Sequence, residues 1–165
     1  MADGRASSFI LLATALLISG AISAVLITQY GDITSAMERD RREAEADSKT
    51  SFNFAGDLSN IAYETTNPIE TITFYLQNTG EYVLDENSLF IQVDGDVVAD
   101  VDVSTSVLPA GGTWGSSNLL EVEISGAWTL ADNADVKLTV LVQSVIVSNY
   151  DGEHTESTVV RLNEL

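Results

Sequence analysis

The chain has 165 residues, with seven Lys and Arg against twenty-five Asp and Glu, a formal charge of −18. That length holds one domain and a short appendage, and so polyanionic a chain repels nucleic acid and anionic head groups, which excludes DNA or RNA as a partner. It has no Cys and a single His, His154, so disulfides, thiolate metal sites, Cys nucleophiles and His-pair acid–base dyads are excluded too.

The first element is an apolar helix. No charged residue occurs between Arg5 and Asp32, and Phe9 to Thr28 reads FILLATALLISGAISAVLIT. Its twenty residues match the length a helix needs to cross the hydrocarbon core. A secretory signal would have a shorter run and a small-x-small exit, which Thr28-Gln29-Tyr30-Gly31-Asp32 lacks. The segment is therefore expected to be a retained anchor, residues 1–31. Phe9, Ile10, Leu11, Leu12, Leu16, Leu17, Ile18, Ile22, Val25, Leu26 and Ile27 are expected to meet membrane lipid. Gly20 and Ala24 form a small-xxx-small pair, where a partner helix could approach closely. Arg39, Arg41 and Arg42 follow the anchor and outnumber Arg5 before it, a bias that by itself points the C-terminal part inward.

Residues 32–49 predict a helical stalk. They are rich in Ala, Glu and Arg and contain no Pro. Arg39 and Glu43, and Arg41 and Glu45, stand at i,i+4, close enough to pair on one face.

Residues 50–165 predict an acidic, mainly β domain. Eighteen acids against Lys137 and Arg161 leave it at −16. Ser51 to Phe54 opens with period two, and Ile69 to Gln77 puts Ile72, Phe74 and Leu76 on one face. Leu89–Val93 and Val97–Val103 follow, joined by Asp94-Gly95-Asp96, a type I′ hairpin signal. Leu119–Ile124, Val136–Val147 and Thr155–Leu162 complete the set, with a turn at Asn149 to Gly152. Seven or eight short strands at about ten-residue spacing, with no helix between them, predict an immunoglobulin-like antiparallel β-sandwich.

Little in this sequence carries chemistry. Asp94, Asp96, Asp100 and Asp102 alternate as residues sharing one strand face would, but they lack the Gly and Glu of a calcium loop, so a solvated acidic edge is expected. His154, flanked by Glu153 and Glu156, is expected at the surface. Trp128 is expected in the core, and Trp114, in the Ala110 to Gly115 loop, is expected in the core or else displayed for a partner. No nucleophile elbow, phosphate loop or Asn-x-Ser/Thr acceptor occurs. No enzymatic activity, metal or cofactor is expected.

The apolar run SSFILLATALLISGAISAVLITQYGDI, the polar helical stalk and the acidic β-domain together resemble the archaellin superfamily. Within the domain, Thr73 to Gly80, then Leu84, Leu89-Phe90-Ile91 and Val93-Asp94-Gly95, resemble its strand, Asn-Thr-Gly, strand, Asp-Gly stretch. Archaellins carry a basic leader ending in Gly. Here Gly4-Arg5 stands in the reverse order, which favours the accessory stator proteins of the archaeal flagellum, proteins F and G. That resemblance implies a single-pass membrane protein with its β-domain outside the cell, against the Arg bias. It also implies non-catalytic work in motility: gripping a surface-layer protein or a sister subunit, in a homo- or hetero-oligomer. The alternative it leaves open is a filament subunit assembling through the N-terminal helix.

Overall fold

A computed structural model describes residues 3–66, 69–147 and 149–165. A helix, α1 (Asp3–Lys49), is followed by nine strands among the described residues. The chain divides into two compact units; the first ends at Arg42 and the second is Glu43–Leu165. The last two turns of α1 thus belong to the β unit.

The strands are β1 (Phe52–Ala55), β2 (Ile61–Thr66), β3 (Ile69–Asn78), β4 (Phe90–Val93), β5 (Asp96–Val97), β6 (Val103–Leu108), β7 (Leu119–Gly126), β8 (Asp135–Gln143) and β9 (Glu153–Glu164). Their order is β5-β4-β8-β9-β2-β3-β7-β6, and β1 pairs β3 beyond the end of β2. All pairings are antiparallel except β2 with β9. The twelve-residue β9 makes the sheet curl. Its residues 153–161 pair with β8, and its last turn of pleat, from Leu162, pairs with β2. One strand therefore joins the two halves of the sheet, and their inner faces close on one core.

That core follows from alternation. Along β3, Ile72, Phe74 and Leu76 are fully buried, and Leu120, Val122 and Ile124 stand directly across from them on β7. Val136, Leu138, Val140 and Val142 supply the opposite wall from β8, and Phe52, Tyr63 and Trp114 fill the ends. Period-two β-branched and aromatic residues bury one face and leave the other to solvent. Of the two places open to Trp114, the core is the one it takes. Trp128 is half-buried and lies flat over Gly126, where a Cβ would strike its ring.

The Asp94-Gly95 turn forms as predicted. Both residues have positive φ, 51° and 93°, and Val93 pairs with Asp96. The strand expected over Val97–Val103 does not form as one piece. Strand β5 stops at Val97, Val98 turns inward with its N–H on the Ile91 carbonyl, and Asp100–Asp102 is a 3-10 turn before β6 begins. The cause is topological: β5 and β6 are the two ends of the strand order, so the chain must cross the sandwich between them.

The end of α1 is built into the β unit. The Lys49 carbonyl accepts from the N–H groups of Glu81 (2.9 Å) and Tyr82 (3.2 Å), and the Ser51 carbonyl from those of Thr79 and Gly80 (3.0 Å each). The four carbonyls at a helix end have no partner within the helix. Two backbone amides from the β3–β4 connection cap one of them here. Asn78, fully buried, holds that connection in shape. Its Nδ2 donates to the Tyr82 (2.8 Å) and Trp114 (2.9 Å) carbonyls, and its Oδ1 accepts from the Gly80 N–H (2.9 Å). On the other side the Asp47 carboxylate accepts the Glu153 N–H at 2.9 Å, and Ala46 and Thr50 are buried.

Two glycines make this approach geometrically feasible. A Cβ on Gly80 would overlap the Lys49 carbonyl oxygen and lie 2.8 Å from Ser51 N. A Cβ on Gly152 would overlap Thr50 Oγ1 and the Ala46 carbonyl oxygen. Each obstacle is backbone or a short side chain, which cannot swing aside. The i,i+4 pairs seen in the polar part of α1 are Glu38–Arg42 (2.8 Å) and Glu45–Lys49 (3.0 Å). In both, the acid precedes the base, the order that opposes the helix dipole least; the predicted Arg39–Glu43 pair has the reverse order.

Two measurements check this account. Gly80→Ala and Gly152→Ala are each expected to lower the unfolding free energy of the β unit by roughly 1–3 kcal/mol, read by denaturant titration of tryptophan fluorescence. Gly20→Ala, with nothing within 4 Å of its Cβ position, is expected to leave that transition in place. The second concerns Tyr63, whose hydroxyl donates to the Leu130 carbonyl at 3.1 Å. Burial first, and the neighbouring Glu70 second, push its pKa up to about 12. A phenol whose folded pKa is raised contributes stability that is present below the unfolded value of about 10 and lost as pH climbs through the folded one. Ultraviolet titration should show one tyrosine ionising near pH 12, with stability falling between those two values. Ionisation of every tyrosine near pH 10 would contradict the burial argument.

Candidate functional site

The feature that demands an outside partner is the apolar part of α1. Phe9, Ile10, Leu11, Leu12, Leu16, Leu17, Ile18, Ile22, Val25, Leu26 and Ile27 are all exposed, from 51% at Leu26 to 75% at Leu17. They do not fall in one stripe. At 100° per residue, runs such as Leu16-Leu17-Ile18 and Val25-Leu26-Ile27 cover the whole circumference. A soluble helix shows an apolar face and a polar face; this one shows apolar surface all round and nothing in its own unit covers it. Each such side chain is worth about 1.5–3 kcal/mol on full burial. By length and composition, α1 is able to cross a membrane.

Several hydroxyls of α1 are turned back on the helix itself. Thr14 Oγ1 donates to the Ile10 carbonyl at 2.8 Å, and Thr28 Oγ1 to the Ala24 carbonyl at 3.0 Å. Thr34 and Ser35 do the same with the Tyr30 and Gly31 carbonyls. These back-bonds give each hydroxyl a partner one turn back. At these four positions the helix presents no unmet donor, which matters in surroundings that cannot hydrogen-bond. An open apolar hollow of about 280 Å³ is bounded by Ala21, Ile22, Val25 and Leu26. A side chain from another helix would fit there.

The residues weighed for chemistry are dispersed. Asp94 occupies the β4–β5 turn, where its Oδ1 accepts the Lys137 N–H at 2.7 Å. Asp96 is on β5, and Asp100 and Asp102 are in the 3-10 turn, so the four acids do not share a strand face. Among the described residues, no three His, Asp or Glu side chains gather as a metal site would need. His154 is not on the outer surface. It is half-buried on the inner face of β9, edge-on to the Phe52 ring with centroids 5.2 Å apart. Strand β9 begins at Glu153, two residues before the strand start the sequence implied, and the register with β8 puts His154 at an inward position opposite Val142.

Glu156 is the next inward residue on β9, opposite Val140. Its Oε2 is buried with no hydrogen-bond partner among the described residues. Burial raises its pKa, and the adjacent His154 partly opposes that. Sequence reasoning missed this position because the alternation Thr155-Glu156-Ser157-Thr158 carries no apolar marker of which face is inside. It also missed Asn78, Gly80 and Gly152 as the seat of the helix end. Asn-Thr-Gly and Asp-Gly are ordinary turn signals, and nothing local says that another backbone presses against them.

Comparison with known proteins bears on the helix and the β unit together. Among solved structures, the archaeal flagellum of Methanospirillum hungatei strain JF1 matches 96% of this chain and 92% of its own, at 12% identity and a TM-score of 0.57. A likeness at that identity concerns the fold: a long N-terminal helix followed by a curled β-domain. The secreted serine protease VesC from Vibrio cholerae overlaps 74% of this chain and 25% of its own at 13% identity, but with a TM-score of 0.31, too low to carry an argument. No curated protein sequence matches. The family model for archaeal-type flagellin matches residues 2–161, almost the whole length. The chain therefore belongs to the archaeal-type flagellin family.

Proposed function

We propose that this protein is a filament subunit of the archaeal flagellum type, whose N-terminal helix is covered by the helices of sister copies. Membership of the flagellin family makes the chain a structural component of motility rather than an enzyme. The observation that carries the finer reading is the apolar belt from Phe9 to Ile27, exposed on every side of α1. A stator anchor would need lipid around that belt permanently. A filament subunit needs lipid only until assembly, after which neighbouring helices bury it. The family match and the flagellum structure both favour the second case.

The accessory stator reading rested on the Gly4-Arg5 order and implied a grip on a surface-layer protein. Neither comparison speaks for that grip, whereas both speak for copies of one chain packed together. The outward orientation of the β-domain goes with the filament reading as well, since a filament grows outside the cell.

The test is to produce the full chain in an archaeal host with its own export machinery, examine the surface by electron microscopy, and sequence the mature N-terminus. Helical filaments containing the chain, with an N-terminus close before Phe9, are expected. A chain that stays in the membrane with its start intact and never forms filaments would favour the stator anchor. A second prediction uses the belt directly. Leu16→Asp places a charge at the helix centre at a cost of roughly 3 kcal/mol for membrane insertion. It is expected to abolish filaments while the fluorescence-detected unfolding of the β unit stays unchanged, because Leu16 touches none of the core.

A further inference from the structure

Residues 50–165 carry eighteen acids and only two bases, Lys137 and Arg161, and both bases project from the same outer face. That face is the outside of β4, β5, β8 and β9. Its rows are fixed by register: Lys137 lies across from Val159, Asp135 from Arg161, and Phe90 from Leu141, while Val97 faces Gln92 across the β4–β5 pair. Phe90, Val97 and Val159 are exposed and Leu141 is half-buried. The two acids of the face, Asp135 and Glu153, sit at its opposite ends. Asp135 is already neutralised by Arg161, whose Nε is 2.8 Å from Oδ1, and that guanidinium holds its carboxyl below the usual range. The face as a whole is neutral and partly apolar on an otherwise strongly anionic unit.

The outer face of β2, β3, β7 and β6 is the reverse. Glu64, Glu121 and Glu123 stand out from it in adjacent rows with Ser and Thr, beside Thr71, Tyr75 and Thr73 respectively, and no base lies among these strands. Tyr75 donates to Glu121 at 3.1 Å, which holds that carboxylate to the sheet surface.

We infer that these two faces dock against each other between successive copies of this chain, the Lys137–Val159 face of one on the Glu64–Glu123 face of the next. Three considerations select this partner. An apolar, neutral face is the least costly part of the unit to remove from water, since its desolvation strips few charges. Lys137, for which no ion pair forms among the described residues, calls for an acidic counterpart, and the opposite outer face of the same unit is acidic. Two sheets stack face to face at about 10 Å with side chains interleaved. Docking two copies through the same face would instead put each Lys137 in the field of another. Joining one face to a different face is a heterologous contact, and such contacts propagate without closing unless a rotation happens to close a ring. The inference rests on the filament reading and adds to it the surface by which the β units recognise each other.

The test uses full-length chains and the fraction recovered as sedimentable filaments. Lys137→Glu is expected to lower that fraction about tenfold, and Glu64→Lys with Glu123→Lys to do the same, through like charges across the contact. Combining all three substitutions exchanges the signs and is expected to restore assembly. All three positions are exposed, so melting of the β unit is expected to stay unchanged and serves as the folding control. Because the chain has no Cys, crosslinking gives an independent readout. Val159→Cys with Ser104→Cys is expected to yield a ladder of disulfide-linked chains in assembled filaments, and either single variant none. Filaments that form equally well from every charge variant, or a dimer from Val159→Cys alone, would overturn the docking arrangement while leaving the filament reading intact. Failure of the unaltered chain to form filaments would instead overturn the filament reading itself.

Discussion

The carbonyl oxygen of Lys49 is the point from which the β unit is organised. A helix end leaves carbonyls unmet, and in many proteins water meets them. In this chain the backbone amides of Glu81 and Tyr82 do so, which requires the β3–β4 connection to lie against the helix terminus. That requirement fixes Gly80, since any side chain there would occupy the carbonyl's place. It fixes Asn78, whose amide spans Tyr82 and Trp114 and so ties the connection to the core tryptophan. Phe52, three residues past Lys49, then enters the core between Trp114 and His154. The first strand is thus positioned by the cap, and its partner β3 is extended to Asn78 by the same cap.

The parts of this fold that were legible in the sequence are those where one local signal suffices. The apolar run with no charge between Arg5 and Asp32 specifies a helix that cannot be satisfied in water. The alternation of Ile72, Phe74 and Leu76 specifies which face of β3 is buried, and Asp94-Gly95 specifies its turn. What was not legible depends on distant partners. Strand β2 (Ile61–Thr66) carries only Ile61 and Tyr63 as inward markers and exists because β3 and β9 offer edges on both sides of it. The alternating Val97 to Val103 looks like one strand, yet the chain must cross between opposite sheet ends there, and the crossing overrides propensity. Glu156 sits inside because β9 is in register with β8, which no composition of residues 153–158 reveals.

Charge and apolarity are segregated in this chain to an unusual degree. The helix holds its exposed grease in one stretch, Phe9 to Ile27, and its ion pairs in another, after Asp32. Residues 50–165 keep both their bases on one outer sheet face, where Asp135 and Glu153 offset them, and the other outer face carries acids without a base. Surface ion pairs such as Arg161–Asp135 contribute little to stability in themselves. Their value is in removing net charge from one patch, so that the patch differs from its surroundings. Specificity between like-charged objects is obtained by exactly such local exceptions, because every other mutual orientation meets repulsion.

The threonine back-bonds at Thr14 and Thr28 have a consequence for transport between phases. Since both threonine hydroxyls are already satisfied by their own helix, moving α1 from a bilayer to a bundle of like helices costs neither of them a hydrogen bond. Hydrocarbon tails and leucine side chains are equally poor solvents for water. The helix then passes from one oil to another, and much of the difference between them is set by packing, by how well a neighbour fills the hollow at Ala21 and Val25. A reservoir of chains stored in the membrane can on these terms be drawn down without a large barrier from desolvation, and the direction of flow is decided by shape.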